Sequence, residues 1–401
     1  MKNSSNFASK LIHKGDGQFQ KKLNKTAPVP ETFPIYHTSA FAFDNVDSLD
    51  AIYEKNADGY IYSRIAAPNA DAVSEIIAAA DNAAGALVFS SGMAAITTTL
   101  FSLVESGDHI IASPVLYGAV HTFLANELKR FGIEVSFVDL IEDDISKFVK
   151  PNTKLIYSET ICNPLMEVPD IPAIAQAAHK NNLLFVIDNT FASPAIAEPL
   201  SLGADIALYS ATKYLSGHND IVAGAVSAKT KSLLAKIKRL QILYGAILSP
   251  FDCWLLARSL RTLDLRMAKH SQNALEIAKF LEKHPKIEKV FYPGLESSPS
   301  YNRAQKQFKE GRYGGMMSVN LKGGQKEAIA LIDSLEKVFF VPSLAGTATT
   351  ISYSAKTSHR YYDKQERIKA GITDSQVRFS IGLEDSQFII EEIEKALEKI
   401  S

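Results

Sequence analysis

Short apolar runs and helical segments alternate through the middle of this chain, and that alternation restricts the fold more than any other feature. Ala86–Phe89, His109–Ala112, Val135–Val138, Lys154–Tyr157, Leu183–Ile187 and Ile206–Leu208 read as strands. They lack the polar alternation of a half-exposed strand, so both of their faces are expected to be covered. Between them, apolar residues recur at helical spacing, as in Val73, Ile76, Ile77 and Ala80, and again in Ile171, Ile174, Ala175 and Ala178. The pattern predicts an α/β fold around a mostly parallel sheet. Binding sites in such sheets lie beyond the carboxyl ends of the strands. Ser90, Asp188 and Ser210 all stand at such ends.

A chain of 401 residues exceeds one small domain. Beyond Leu265 the pattern changes to charged helical stretches, a strand-like segment over Tyr313–Asn320 and an amphipathic helix over 385–400, with Ile389, Ile393, Ala396 and Ile400 on one face. This predicts a large domain over 66–264 and a smaller α+β domain over 265–401. Residues 1–65 read as an irregular arm broken by Pro28, Pro30 and Pro34, too poor in apolar groups to form a core and expected to drape over another surface.

Charge and cysteine usage exclude several classes of function. A net charge of −1 offers no basic surface for nucleic acid. Cys162 and Cys253, the two cysteines, lack the spacing of a disulfide framework or a zinc site, and no metal is expected. No apolar run is long enough to cross a membrane, and Met1–Lys25 has no apolar core to serve as a signal. A cytoplasmic protein is expected.

The chemistry concentrates around Lys213, in Ser210-Ala-Thr-Lys-Tyr214. Alone it would be an ordinary surface lysine. Here a buried strand delivers it behind two hydroxyls, Ser210 and Thr212, which can hold a phosphate while the amine forms a Schiff base with an aldehyde. Asp188 ends another strand, where it could keep a pyridine nitrogen protonated or merely cap the turn Asp188-Asn189-Thr190. Ser91-Gly92-Met93 joins a strand to a helix whose first amides attract anions. Tyr117 could stack on a ring or belong to the core. Arg378, in the apolar run Gln376–Ser380, requires an anionic partner, which a substrate carboxylate or a structural acid would each supply. His218 reads as a loop residue. These features together point to pyridoxal 5'-phosphate as cofactor.

With these residues in place, the chain resembles the pyridoxal phosphate enzymes of Cys/Met metabolism, the trans-sulfuration family, over almost its whole length. The match runs through Tyr62-Ser-Arg64, Ser91-Gly-Met93, Leu116-Tyr-Gly118, Asp188-Asn-Thr-Phe191, Ser210–Tyr214 and Val377–Asp385. The resemblance implies a fold-type I pyridoxal phosphate transferase-like architecture, with a large cofactor domain, a smaller C-terminal domain and a homotetramer built from two catalytic dimers. It implies that Tyr62 and Arg64 reach a neighbouring subunit's cofactor phosphate. Gly92, Met93, Ser210 and Thr212 would hold that phosphate, Tyr117 would stack on the ring, and Asp188 would face its nitrogen. Asn163, Ser343 and Arg378 would bind the substrate carboxylate, with Lys213, Tyr117 and Asp188 catalytic.

The chain departs from the family pattern at Ala67-Pro68-Asn69 and at Ala348, which puts loop geometry in question. Pro342 and Ile61 stand where relatives that handle cystathionine often carry acidic or amide groups. The expected reaction is elimination on a sulfur amino acid by a γ-lyase of methionine, cystathionine or homocysteine type. Replacement on an O-acylhomoserine, a cystathionine β-lyase and a non-catalytic cofactor-binding regulator are the alternatives.

Overall fold

The computed structural model describes residues 4–15, 30–357, 360, 364–369 and 371–400. Seven strands form the larger sheet: β1 (Gly85–Phe89), β2 (His109–Ala112), β3 (Glu134–Phe137), β4 (Thr153–Glu159), β5 (Leu184–Asp188), β6 (Ile206–Tyr209) and β7 (Gly224–Ala228), in the order β1-β7-β6-β5-β4-β2-β3. The strands from β6 to β3 are mutually parallel, and β7 runs antiparallel to both β1 and β6. The apolar runs of the sequence therefore mark six of the strands to within a residue or two. Gly224–Ala228 escaped notice because its small residues carry little hydrophobic signal.

The unbroken apolarity of these strands follows from their two covered faces. Ile111, Ile156, Phe185, Ile187 and Ala207 pack into one cluster, while Ile110, Leu155, Tyr157, Val186 and Leu208 pack into another. The covering helices start at side-chain caps. Ser91 accepts the Ala94 amide before the helix Gly92–Leu103, and Asp170 accepts that of Ala173 before Ile171–Lys180.

Five further strands form a second sheet: β8 (Ile287–Phe291), β9 (Met316–Leu321), β10 (Phe339–Phe340), β11 (Thr350–Ser352) and β12 (Gln376–Ser380), ordered β10-β11-β12-β9-β8. The amphipathic C-terminal helix, Ser386–Glu398, buries Ile389, Ile393 and Ala396. The strand expected over Tyr313–Asn320 is displaced to Met316–Leu321 because Gly314, with φ +89°, still turns the chain.

The N-terminal segment differs from the expectation. Within 1–65, Ser4–His13 and Val46–Tyr53 are helices. Phe7 and Leu11 are buried against this chain's own core, and Arg261 donates to the carbonyls of Leu11, Ile12 and Lys14. Residues 4–15 are thus not irregular, and they pack on this chain's own core. Pro28 and most of the polar stretch up to Lys25 lie outside the described residues. At the departure Ala67-Pro68-Asn69, Pro68 opens the helix Pro68–Ala80 without a side-chain cap. Asn69 is buried and bonded to both the Pro34 carbonyl (2.9 Å) and the Tyr36 amide (2.8 Å), which fastens the arm to that helix. No helix among the described residues is long and apolar enough to cross a membrane.

Candidate active site

The strand ends converge on a cavity of about 460 Å³. Ser91, Gly92, Met93, Tyr117, Asn163, Asp188, Ser210, Thr212, Lys213 and Arg378, dispersed over nearly three hundred positions of sequence, all line it. Lys213 is carried by the turn that follows β6, in which its amide donates to the Ser210 carbonyl (3.0 Å). Its Nζ donates to Ser343 Oγ (3.0 Å), bringing in another expected residue. Burial, and secondarily the Arg378 charge, pull the Lys213 amine down to about 8. It can therefore shed its proton near neutrality, as a nucleophilic lysine must.

Asp188 ends β5 with its carboxyl buried. Burial pushes it upward, while Thr190 draws it back by donating its amide to Oδ1 at 2.9 Å. The turn-cap and ring-partner readings of Asp188 are compatible, because the Thr190 amide takes one position on Oδ1 and a carboxylate offers several. Thr190 was not anticipated. Its Oγ1 also accepts the Ser210 amide (2.8 Å), joining the ends of β5 and β6.

The anion cradle is built from close backbone approach. Ser91 caps its helix through Ala94, leaving the amides of Gly92 and Met93 without intrahelical acceptors. A Cβ on Gly92 would stand 2.8 Å from Ser210 Cβ, and one on Gly224 would stand 2.1 Å from the Ser91 carbonyl. Only glycine permits either approach. Thr212 Oγ1 is shared with the backbone of Ala223, accepting its amide at 2.9 Å and donating to its carbonyl at 3.2 Å. A helix N-terminus, two hydroxyls and a lysine within one cleft suit a phosphorylated aldehyde such as pyridoxal phosphate.

Arg378 lies on β12, buried, and donates through Nη1 to Asn163 Oδ1 at 2.7 Å. Its Nε has no partner among the described residues. A neutral amide rather than an acid holds it, so its charge is left to an incoming anion. Tyr117 is 43% exposed and belongs to the cavity mouth, not the core. His218 bonds the Ser216 carbonyl (2.5 Å), as a loop residue would.

Two expected residues lie elsewhere. Tyr62 is 43% exposed, with the Arg64 guanidinium 5.5 Å from its ring centre, and Arg64 donates to the Ile242 carbonyl; neither lines this chain's cavity. At the other departure, Ala348, Glu384 holds the loop through the amide and hydroxyl of Thr349. Another cavity residue was not anticipated. Glu159 ends β4 and accepts the amides of Tyr117 (2.7 Å) and Asn163 (3.1 Å). Its signal was a carboxylate just beyond an apolar run, the same signal that marked Asp188.

Comparison with known proteins bears on this arrangement. The model of the Cys/Met metabolism PLP-dependent enzymes matches residues 9–398. The chain is 40% identical over 399 residues to an L-methionine gamma-lyase of Treponema denticola, covering 98% of this chain and 97% of that one. A cystathionine gamma-lyase from Lactobacillus plantarum, solved with L-serine, superposes with a TM-score of 0.89 at 36% identity, covering 98% of this chain and 99% of that one. A Campylobacter jejuni chain described as an O-acetylhomoserine (thiol)-lyase, with TM-score 0.92 and 31% identity, covers 98% of this chain and all of that one, and carries a pyridoxyl-lysine phosphate. Site geometry and full-length similarity agree, and the chain belongs to the pyridoxal phosphate-dependent enzymes of cysteine and methionine metabolism.

Proposed function

We propose that this protein is a carbon–sulfur lyase that cleaves a sulfur amino acid at its γ-carbon, converting the amino acid and water into a thiol, a 2-oxoacid and ammonia. One observation carries the reading: the amine of Lys213 and the acid-free guanidinium of Arg378 face a cavity whose remaining wall includes Val222, Pro342 and Leu344. Of its two acids, Glu159 is bonded to two backbone amides and Asp188 is the one proposed for the cofactor ring, so neither is left to pair with a second ammonium group. An uncharged thioether or thiol tail of methionine or homocysteine type fits such a wall better than the zwitterionic tail of cystathionine.

Bound pyridoxal phosphate supplies an electron sink for the substrate α-carbon. The chain does the rest. Gly92, Met93, Ser210 and Thr212 would hold the phosphate, and Asp188 would face the ring nitrogen. Arg378, Asn163 and Ser343 orient the substrate carboxylate. Lys213 Nζ moves protons at the α- and β-carbons, and Tyr117 Oη at the mouth delivers one to the departing sulfur.

The assembly proposed is a homotetramer of two catalytic dimers, in which Tyr62 and Arg64 complete the neighbouring subunit's phosphate site. Their position outside their own cavity supports this. The division proposed is an arm over 1–65, a cofactor domain over 66–264 and a small domain over 265–401. The free, buried Cys162 and Cys253 suit a reducing compartment, consistent with the cytoplasm.

A substrate panel tests the reaction. Methionine alone should yield methanethiol, and homocysteine hydrogen sulfide, each with 2-oxobutanoate and ammonia, and Lys213→Ala should abolish all of them. If product forms only when O-acetylhomoserine and sulfide are supplied together, the enzyme is a replacement catalyst; the likeness to the Campylobacter jejuni chain favours that second reading. Pyruvate from cystathionine, with methionine inert, would make it a β-lyase.

A further inference from the structure

Glu159 is a buried carboxylate that no step above uses. It stands at the last position of β4, and its register partner in the parallel pair is Asp188 at the end of β5. Register partners in a parallel ladder project to the same face, so two acids leave neighbouring strand ends side by side. Burying one carboxylate is costly and burying two together is more so. The arrangement therefore calls for a compensating role.

The bonds show what that role is. One Glu159 oxygen accepts the Tyr117 amide at 2.7 Å and the other accepts the Asn163 amide at 3.1 Å. The two donors come from different loops. Tyr117 precedes the short helix Gly118–Thr122, and Asn163 follows β4 and accepts Arg378 Nη1. Each Glu159 oxygen thus holds a different loop by its backbone. Electrostatics separates the two acids in the same sense. Burial pushes both acids upward; Glu159 is raised further by the Asp188 charge, against the pull of its two backbone amides, while Thr190 draws Asp188 back. Asp188 is the better placed to carry the charge, which leaves Glu159 the geometric task.

We infer that Glu159 is a positioning residue: its carboxyl locks the loop carrying Tyr117 to the loop carrying Asn163 and, through Asn163, aims the Arg378 guanidinium. This rests on the roles proposed above for Tyr117 and Arg378. It predicts that the ring-stacking side and the carboxylate clamp loosen together when Glu159 is altered.

The test uses the full-length protein, stripped of pyridoxal phosphate and titrated with it, so that cofactor geometry is read independently of turnover. Wild-type protein without lyase activity would count against the proposed reaction, not against this role. Glu159→Gln keeps the size and one acceptor; Glu159→Ala keeps neither. Visible circular dichroism per bound cofactor should fall in both variants, more in Glu159→Ala, because the stacked ring loses its fixed orientation. Methionine affinity, read from the change in cofactor absorbance, should fall about tenfold in Glu159→Ala, the loss expected when a charge-assisted contact is mis-aimed. In an Asn163→Ala background the same change should cost less than about twofold, since the two act through one path. A lowered melting temperature with unchanged dichroism, or additive losses in the double variant, would reduce Glu159 to a structural acid and overturn the inference. Should Glu159→Ala not fold, Glu159→Gln and its combination with Asn163→Ala decide by the same readings.

Discussion

Lys213 and Arg378 illustrate how one side chain sets the chemistry of another. Both are withdrawn from water, and Arg378 is the second cause, after burial, of the lowered Lys213 amine. The sign is definite: a nearby cation favours the neutral amine, so removing it must raise the Lys213 value. Two consequences follow for Arg378→Ala. The pH at which apoprotein takes up pyridoxal phosphate fastest, followed by absorbance, should move upward from the region of about 8. Amino-acid affinity should fall about 10- to 100-fold, since a charge-assisted bond is worth about 1.5–3 kcal/mol. An unchanged uptake profile would show that burial alone tunes the lysine.

For strands and helices, the decisive feature is how closely their backbones approach. The strand β7 abuts the N-terminus of the helix Gly92–Leu103 only because Gly224 lacks a Cβ, and that helix abuts β6 only because Gly92 lacks one. Gly224→Ala would drive a carbon against the Ser91 carbonyl and the Gly92 amide, both backbone and unable to swing aside. Overpacking of this kind costs about 1–3 kcal/mol and should fall on the phosphate cradle, weakening pyridoxal phosphate about tenfold in a titration of the apoprotein. Cofactor affinity equal to wild type would mean that the cradle tolerates a wider gap than its geometry implies.

Considered as a whole molecule, the chain completes most of its site by folding but leaves Tyr62 and Arg64 outside it. If those residues serve a second copy, damage on different chains should be complementary. Lys213→Ala and Arg64→Ala, each impaired alone, should regain about a quarter of wild-type activity when co-expressed, because half of randomly paired dimers would be hybrids, each with one intact site. No recovery would place Arg64 in its own subunit's service. The N-terminal helix shows the opposite behaviour: Phe7 and Leu11 dock at home, held by Arg261.

Much of this was readable from residue order alone, for a physical reason. A strand buried on both faces must be apolar throughout, and a polar residue at its carboxyl end has no structural excuse. Thus the sheet, Asp188, Ser210 and Lys213 were legible. Glu159 carries the same mark, but it stands two residues beyond Tyr157, where the apolar run of the sequence closes. The helix Ser4–His13 escaped because two buried residues make too faint a period to distinguish from a polar arm. The antiparallel β7, the Asn163–Arg378 contact and the Glu159 bridge were beyond reach of pattern. Each depends on atoms brought within bonding distance from distant parts of the chain, and hydrophobic periodicity records whether a residue is buried, not which neighbour it will meet.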